Sequence, residues 1–147
     1  MDGSLSKSIS IIHRNLCSHM DRLFRDSDIG HGPRRFLVEI ALFPGLTQEE
    51  VSEKLLMDKT TTARAVKQLE NGGYITRSRD PADRRRYILN PTEKGSGVLP
   101  KVLEARKDCH LALAKGFSEE ELEMALAMLQ RLADNAVSLR RSPEAGK

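Results

Sequence analysis

The chain has no tryptophan, and aromatic residues make up only 4% of its 147 positions. That scarcity argues against an aromatic-rich β-sandwich, while 39% hydrophobic and 31% charged residues suit a mainly helical, soluble protein of one domain. Cysteine is scarce too. Cys17 and Cys109 are too few and too far apart for a disulfide framework, and no metal-ligand spacing accompanies them, so neither a disulfide nor a metal site is expected. No apolar run approaches the roughly 18 residues of a membrane span, and the N-terminus lacks the cationic-then-apolar order of an export signal. A cytoplasmic protein is the expectation. A nucleophile motif, a glycine-rich phosphate loop and a plausible carboxylate pair are all missing, so no catalytic residue and no cofactor are expected.

Charge of either sign is nearly balanced overall, at a net +3, but not locally. Between Asp58 and Asn90 eight basic residues face four acidic ones, so the whole positive surplus lies in that segment. For a nucleic-acid binder, where the cations sit matters more than their total.

Apolar residues mark the elements. Leu5, Ile9, Ile12, Leu16 and Leu23 recur at helical spacing and predict a first helix of about five turns. The stretch Gly30 to Pro33 reads as a breaker before a short second helix through Phe36, Leu37 and Ile40, which Pro44-Gly45 must end. Thr47 and Glu50 have the spacing of a capping box, opening a third helix to about Leu56. Asp58 is a suitable cap for a fourth, stopped by Gly72-Gly73, and the few residues between form a tight turn. Two short helices around a tight turn make a helix-turn-helix. Tyr74 to Arg77 and Arg86 to Leu89 then predict a β-hairpin with a basic tip from Ser78 to Arg85. Asn90 as cap with Pro91 at the first helical position predicts a long fifth helix, interrupted by Gly116. Ser118 and Glu121 open a last helix whose Leu122, Ala125, Leu129, Leu132, Ala136 and Leu139 form a near-heptad seam. It ends at Arg140-Arg141, and residues 142–147 have the composition of a frayed tail.

The fold class expected is therefore mainly α with a small β-hairpin wing. The expected organisation is an N-terminal dimerisation helix over 1–30, a winged helix-turn-helix over 33–92, C-terminal dimerisation helices over 93–141 and a flexible tail over 142–147.

On the fourth helix, at 100° per residue, Thr60, Arg64, Lys67 and Asn71 share one face, flanked by Thr61 and Gln68, while Thr62, Ala65, Val66 and Leu69 take the opposite one. Short hydroxyls at the helix N-terminus and long cations further along suit a major groove. An isolated amphipathic helix would read as a solvated face, but a preceding capped helix, a tight turn and a following basic hairpin all stand in the right order. The candidate DNA-binding residues are Lys59, Thr60, Thr61, Arg64, Lys67 and Gln68 on the helix, and Arg77, Asp83, Arg84, Arg85 and Arg86 on the hairpin. A guanidinium on a thin hairpin fits the roughly 6 Å minor groove, where a carboxylate such as Asp83 can hold its orientation.

Leu46 to Gly95 resembles the MarR family of winged helix-turn-helix transcription regulators. The resemblance rests on the helix-turn-helix, the passage Leu69-Glu70-x-x-Gly73-Tyr74-Ile75-x-Arg77, the run Asp80-Pro81-x-Asp83-x-Arg85 and the helix start Thr92-x-x-Gly95. It implies a homodimer with intertwined first and last helices, a pseudo-palindromic duplex operator, repression as the commoner outcome, and often a small aromatic ligand between helices and lobes. It carries over to Thr60, Thr61, Arg64 and Lys67 as groove-facing residues and to Asp83 and Arg85 as the wing pair. Asp58 and Thr62 depart from the usual serine and valine, and Asn90-Pro91 departs from the usual approach to the next helix.

For the effector, the resemblance points to His13, Arg14, Cys17, His31 and Arg35, with Ile12, Phe36 and Leu99 as apolar neighbours and a salicylate-like acid as ligand. Two alternatives remain at this stage. Cys17, four residues from His13, suggests a thiol-based redox sensor, with Tyr74 and Tyr87 the tyrosines available to polarise it. A winged helix used only for protein-protein contact is the other, and it predicts no salt-dependent DNA binding.

Overall fold

The computed structural model describes residues 4–141, and the expected tail at 142–147 and the side chains of Arg140 and Arg141 lie outside the described part. The elements follow in the order α1 (Leu5–Leu23), α2 (His31–Leu42), β1 (Leu46–Thr47), α3 (Gln48–Lys54), α4 (Lys59–Asn71), β2 (Ile75–Arg79), β3 (Tyr87–Pro91), α5 (Glu93–Ala114) and α6 (Glu119–Arg141). Among the described residues no helix is long and apolar enough to cross a membrane. The chain divides into two compact units, Met1–Lys107 and Asp108–Lys147.

In the first unit the core is built where α2, α3 and α4 close over the sheet. Phe36, Leu37 and Ile40 from α2 meet Val51 of α3, Ala65, Val66 and Leu69 of α4, Tyr74, Ile75 of β2 and Leu89 of β3. Burying side chains of this size stabilises by about 1.5–3 kcal/mol each. A smaller cluster joins Phe24, Val38 and Val102, with Met20, Val98 and Leu99 packed against it. The apolar face of α1 meets the clusters only through Met20: no α1 residue is fully buried, and Leu5, Ile9 and Ile12 are exposed.

Four boundaries differ from the sequence reading. The helix α2 begins at His31, inside the supposed breaker, with Gly30 at its cap. Pro33 then falls in the first turn, where no backbone hydrogen bond is lost to a missing N–H. The α3 helix stops at Lys54 because Leu56 adopts φ +52°, a left-handed residue that turns the chain toward α4. The hairpin strands lie further along than read, with Tyr74 buried before β2 and Arg86 in the turn before β3. Asn90-Pro91 does not open α5 but ends β3, paired with Thr76 and Ile75. Thr92 is the cap instead, its hydroxyl accepting from the Gly95 N–H at 3.1 Å and donating to the Gly73 carbonyl at 2.7 Å.

A third strand was not foreseen. Two-residue β1 pairs antiparallel with β3 (Leu46 opposite Leu89, Thr47 opposite Ile88), giving the order β1-β3-β2. The wing is thus the free end of a three-stranded sheet rather than a lone hairpin.

In the second unit the Gly116 backbone at φ +89° makes the turn into α6. Ser118 caps it as read: its hydroxyl accepts from the Glu121 N–H at 3.2 Å, and the Glu121 carboxylate accepts from the Ser118 N–H at 2.8 Å. Of the expected seam, Leu122, Ala125 and Leu132 are half-buried, whereas Leu129 and Leu139 are exposed.

Candidate nucleic-acid interface

The turn between α3 and α4 is locked by side chains that the sequence places there. The Asp58 carboxylate accepts from the Thr61 N–H at 2.8 Å and from the Thr61 hydroxyl at 2.7 Å. Those donors, the backbone N–H above all, hold the Asp58 carboxyl below its usual range. Thr62 is fully buried and donates its hydroxyl to the Asp58 carbonyl at 2.9 Å, while Ser52 donates to the Met57 carbonyl at 2.7 Å. The Thr62 departure therefore serves the turn and not the groove. On the opposite face Thr60, Arg64, Lys67, Gln68 and Asn71 are exposed, as the wheel requires, and Ala65, Val66 and Leu69 are buried. Thr61 is half-buried with its hydroxyl committed to Asp58.

The wing tip is shaped by two aspartates. Asp80 accepts from the Ala82 N–H at 2.8 Å, and Asp83 accepts from the Arg85 N–H at 3.0 Å. Asp83 thus fixes the backbone of Arg85 rather than its guanidinium, which the sequence reading had paired with it. Arg79 folds back, donating to the Arg84 carbonyl at 2.7 Å and stacking over the Tyr87 ring. Arg84 and Arg85 are left exposed, and among the described residues neither guanidinium has a hydrogen-bond or ion-pair partner.

Three cations of the expected set, by contrast, are tied within the chain. Arg77 donates to the Gln48 side-chain carbonyl at 3.0 Å, Lys59 to Glu49 at 2.7 Å and Arg86 to Glu50 at 3.0 Å. The Lys59 ammonium draws the Glu49 carboxyl down, and Glu49 in turn raises Lys59. For Glu50 the Thr47 N–H is the main cause of a lowered value, ahead of the Thr47 hydroxyl and Arg86. Sequence reasoning took Glu50 only as half of a capping box; its contact with Arg86 spans 36 positions and leaves no local pattern to read.

The effector candidates divide as well. His13, Arg14, Cys17 and His31 line one cleft of about 550 Å³ at the joint of α1 and α2, together with Arg22 and Arg25. Cys17 Sγ lies 3.4 Å from His31 Nε2 and 3.6 Å from His13 Nε2, and His31 Nδ1 lies 3.2 Å from an Asp21 oxygen. Arg35 is not there: its guanidinium reaches toward Met57 Sδ. Phe36 is absorbed in the main core and Leu99 in the smaller cluster. Tyr74 donates to Asp28 and Tyr87 lies beneath Arg79, so neither tyrosine polarises Cys17.

A capped two-helix unit, presenting the Thr60 hydroxyl, the Gln68 and Asn71 amides and the cations Arg64 and Lys67 beside a basic β-wing, is the geometry of a winged helix-turn-helix DNA-binding protein. Comparison with known proteins agrees. Residues 33–86 match the model of the MarR family. The chain is 38% identical over 134 residues to the uncharacterized HTH-type transcriptional regulator YybA of Bacillus subtilis, covering 90% of this chain and 89% of that one. Among solved structures it is similar to MarR itself, at 33% identity and a TM-score of 0.74 over 95% of both chains. It is also similar to a MarR family regulator from Listeria monocytogenes complexed with 26mer DNA, at 26% identity and a TM-score of 0.86 over 99% of both chains. The chain belongs to the MarR family and is a DNA-binding transcriptional regulator.

Proposed function

We propose that the protein is a homodimeric repressor that binds a pseudo-palindromic operator and is released by a small aromatic acid seated between α1 and α2. The observation that carries the effector half is the convergence of Arg14, Arg22 and Arg25 with His13 and His31 on a single cleft. Such walls suit an anion: the guanidiniums take a carboxylate in two parallel hydrogen bonds, and the flat imidazole faces suit a ring. Support for the dimer comes from the apolar residues that α1 and α6 leave exposed, among them Leu5 at 60% and Leu139 at 83%. Repression is carried over from the family resemblance. A DNA-facing set of Thr60, Arg64, Lys67, Gln68, Arg84 and Arg85 is supported by their exposure and by their lack of ion pairs among the described residues.

An aromatic carboxylate such as salicylate, at high micromolar to millimolar concentration, is expected to weaken operator binding by about 5- to 150-fold, the usual range of couplings between two sites. Titration calorimetry on the free protein, paired with fluorescence anisotropy on the operator duplex, measures both halves. The effector reading fails if salicylate produces neither heat nor release, or if Arg14→Ala and Arg22→Ala leave the response unchanged.

A second reading has one observation in its favour. With Cys17 held against His31, and His31 against Asp21, an imidazole stands ready to take the thiol proton as the sulfur attacks a hydroperoxide. The S–H becomes S–OH and the peroxide leaves as its alcohol. Cumene hydroperoxide releasing the wild-type protein but not Cys17→Ser, with salicylate inert, would put this reading in place of the first.

A further inference from the structure

We propose that the first turn of α3 is a brace that fixes the wing against the recognition helix α4, and that Glu50 is its central positioning residue. Three consecutive side chains there each hold a cation from a different place: Gln48 takes Arg77 of β2, Glu49 takes Lys59 at the start of α4, and Glu50 takes Arg86 at the outer end of the wing. Together they line a cleft of about 590 Å³ between α3, α4 and the wing.

The need for a brace follows from the sheet. Strand β1 supports β3 only at Leu89 and Ile88, so everything from Arg79 to Tyr87 extends beyond the third strand. A two-stranded ribbon held at one rung can still pivot. Arg77 stands opposite Leu89, at the inner rung, while Arg86 immediately precedes Tyr87, which pairs with Arg79 at the outermost rung. Gln48 and Glu50 therefore grip the ribbon at two heights, one on β2 and one in the turn just before β3, and two points fix a direction where one does not. Glu50 is itself immobilised, because its other oxygen accepts from the Thr47 N–H at 2.7 Å and the Thr47 hydroxyl at 2.8 Å. A carboxylate already fixed by the helix cap loses little side-chain entropy on taking Arg86, unlike an ordinary exposed pair. The Glu49 and Lys59 side chains are 64% and 81% exposed, and theirs is the pair most open to exchange for a phosphate.

The alternative is that Arg86 is a phosphate contact and Glu50 merely its competitor in the free protein. The two readings predict opposite signs. A carboxylate at a DNA face repels every phosphate, so as a competitor its neutralisation tightens all duplexes alike. As a brace, its neutralisation lets the tip wander and costs the contacts that discriminate the operator.

Glu50→Gln is the informative variant, since the one oxygen of glutamine still serves the capping box while its amide NH2, a donor, replaces both the charge and the acceptor that Arg86 uses. The measurement is the dissociation constant for a duplex selected by the wild-type protein and for an unrelated duplex of equal length, at several salt concentrations. Selection by the wild type reads DNA recognition separately from the brace. The brace predicts that the ratio of the two constants falls roughly tenfold in Glu50→Gln, within the range for losing one groove contact. Arg86→Gln should do the same with an unchanged salt slope, and the double variant should be no worse. Equal tightening on both duplexes in Glu50→Gln, with a salt slope lowered by about one in Arg86→Gln, would overturn the proposal. An unaltered ratio in both variants would do so as well. Melting temperatures within a few degrees of wild type exclude loss of folding, and Arg86→Gln leaves the Thr47 cap untouched.

Discussion

Replacing Gly95 with alanine is expected to destabilise the protein by about 3 kcal/mol, the upper end of what overpacking a close contact costs. A methyl at this position would lie 2.0 Å from the Tyr74 carbonyl oxygen and 3.2 Å from Leu37 Cδ1. The first of these is main chain and cannot swing aside. The carbonyl is also in use, accepting from the Thr92 N–H at 3.0 Å, so pushing α5 outward breaks that bond and loosens the Thr92 cap on Gly73. Gly95 is therefore not a loop residue left over from a turn. It is the point where the start of α5 touches the corner between α4 and β2. Gly97, two residues on in the same helix, has open space around the equivalent position and supplies the control. There alanine should stabilise by about 0.5–1 kcal/mol, because it removes helix-breaking freedom without meeting a neighbour. Thermal unfolding checks both: a melting temperature lowered by roughly 6–12 °C in Gly95→Ala and unchanged or raised in Gly97→Ala is expected. A Gly95→Ala protein as stable as wild type would contradict the close contact.

Removing one guanidinium without a partner among the described residues from each of the two DNA-facing elements should abolish tight operator binding while sparing the fold. Arg64 stands on the exposed face of α4 and Arg85 on the wing tip, on separate elements without a shared contact, so their effects should add. At about 1–3 kcal/mol for each groove contact, the double variant Arg64→Ala/Arg85→Ala loses between about thirtyfold and about twenty-thousandfold in affinity. Neither side chain contributes to the core, so the melting temperature should move by no more than about 2 °C. Anisotropy at fixed salt, alongside a thermal melt, separates the two quantities. An affinity within threefold of wild type would show that the interface lies elsewhere.

What the sequence disclosed and what it hid divide by range. The faces of α4 were legible because one helix presents both: a 100° step separates Arg64 and Lys67 from Val66 and Leu69 without reference to anything else. The caps at Thr47, Asp58 and Ser118 were legible because a hydroxyl or carboxylate and its N–H partner sit three residues apart. Strand β1 was not, since two residues have no periodicity and form a strand only by pairing with β3, more than forty positions away. The same distant partners misled the reading of Asn90-Pro91. Its local chemistry suits a helix start, but the sheet claims it, and a proline is tolerated there because it ends the strand. At the site, exposure along α4 followed from periodicity, whereas the fates of Arg77, Arg86 and Lys59 depended on which acidic or amide side chain came within 3 Å. The cleft followed the same rule: His13 and Cys17 share a helix and were found together, and His31 joins them only because α2 begins one residue after Gly30.

The central claim is that a two-fold dimer carries α4 and the wing onto duplex DNA, and selection of bound duplexes from a random pool with the purified protein tests it most directly. A symmetric pair of recognition helices requires symmetric half-sites, so the account predicts an enriched pseudo-palindrome whose half-site centres lie about one helical turn apart, roughly 10 base pairs. Enrichment of a site without dyad symmetry, or no enrichment above the starting pool, would contradict it.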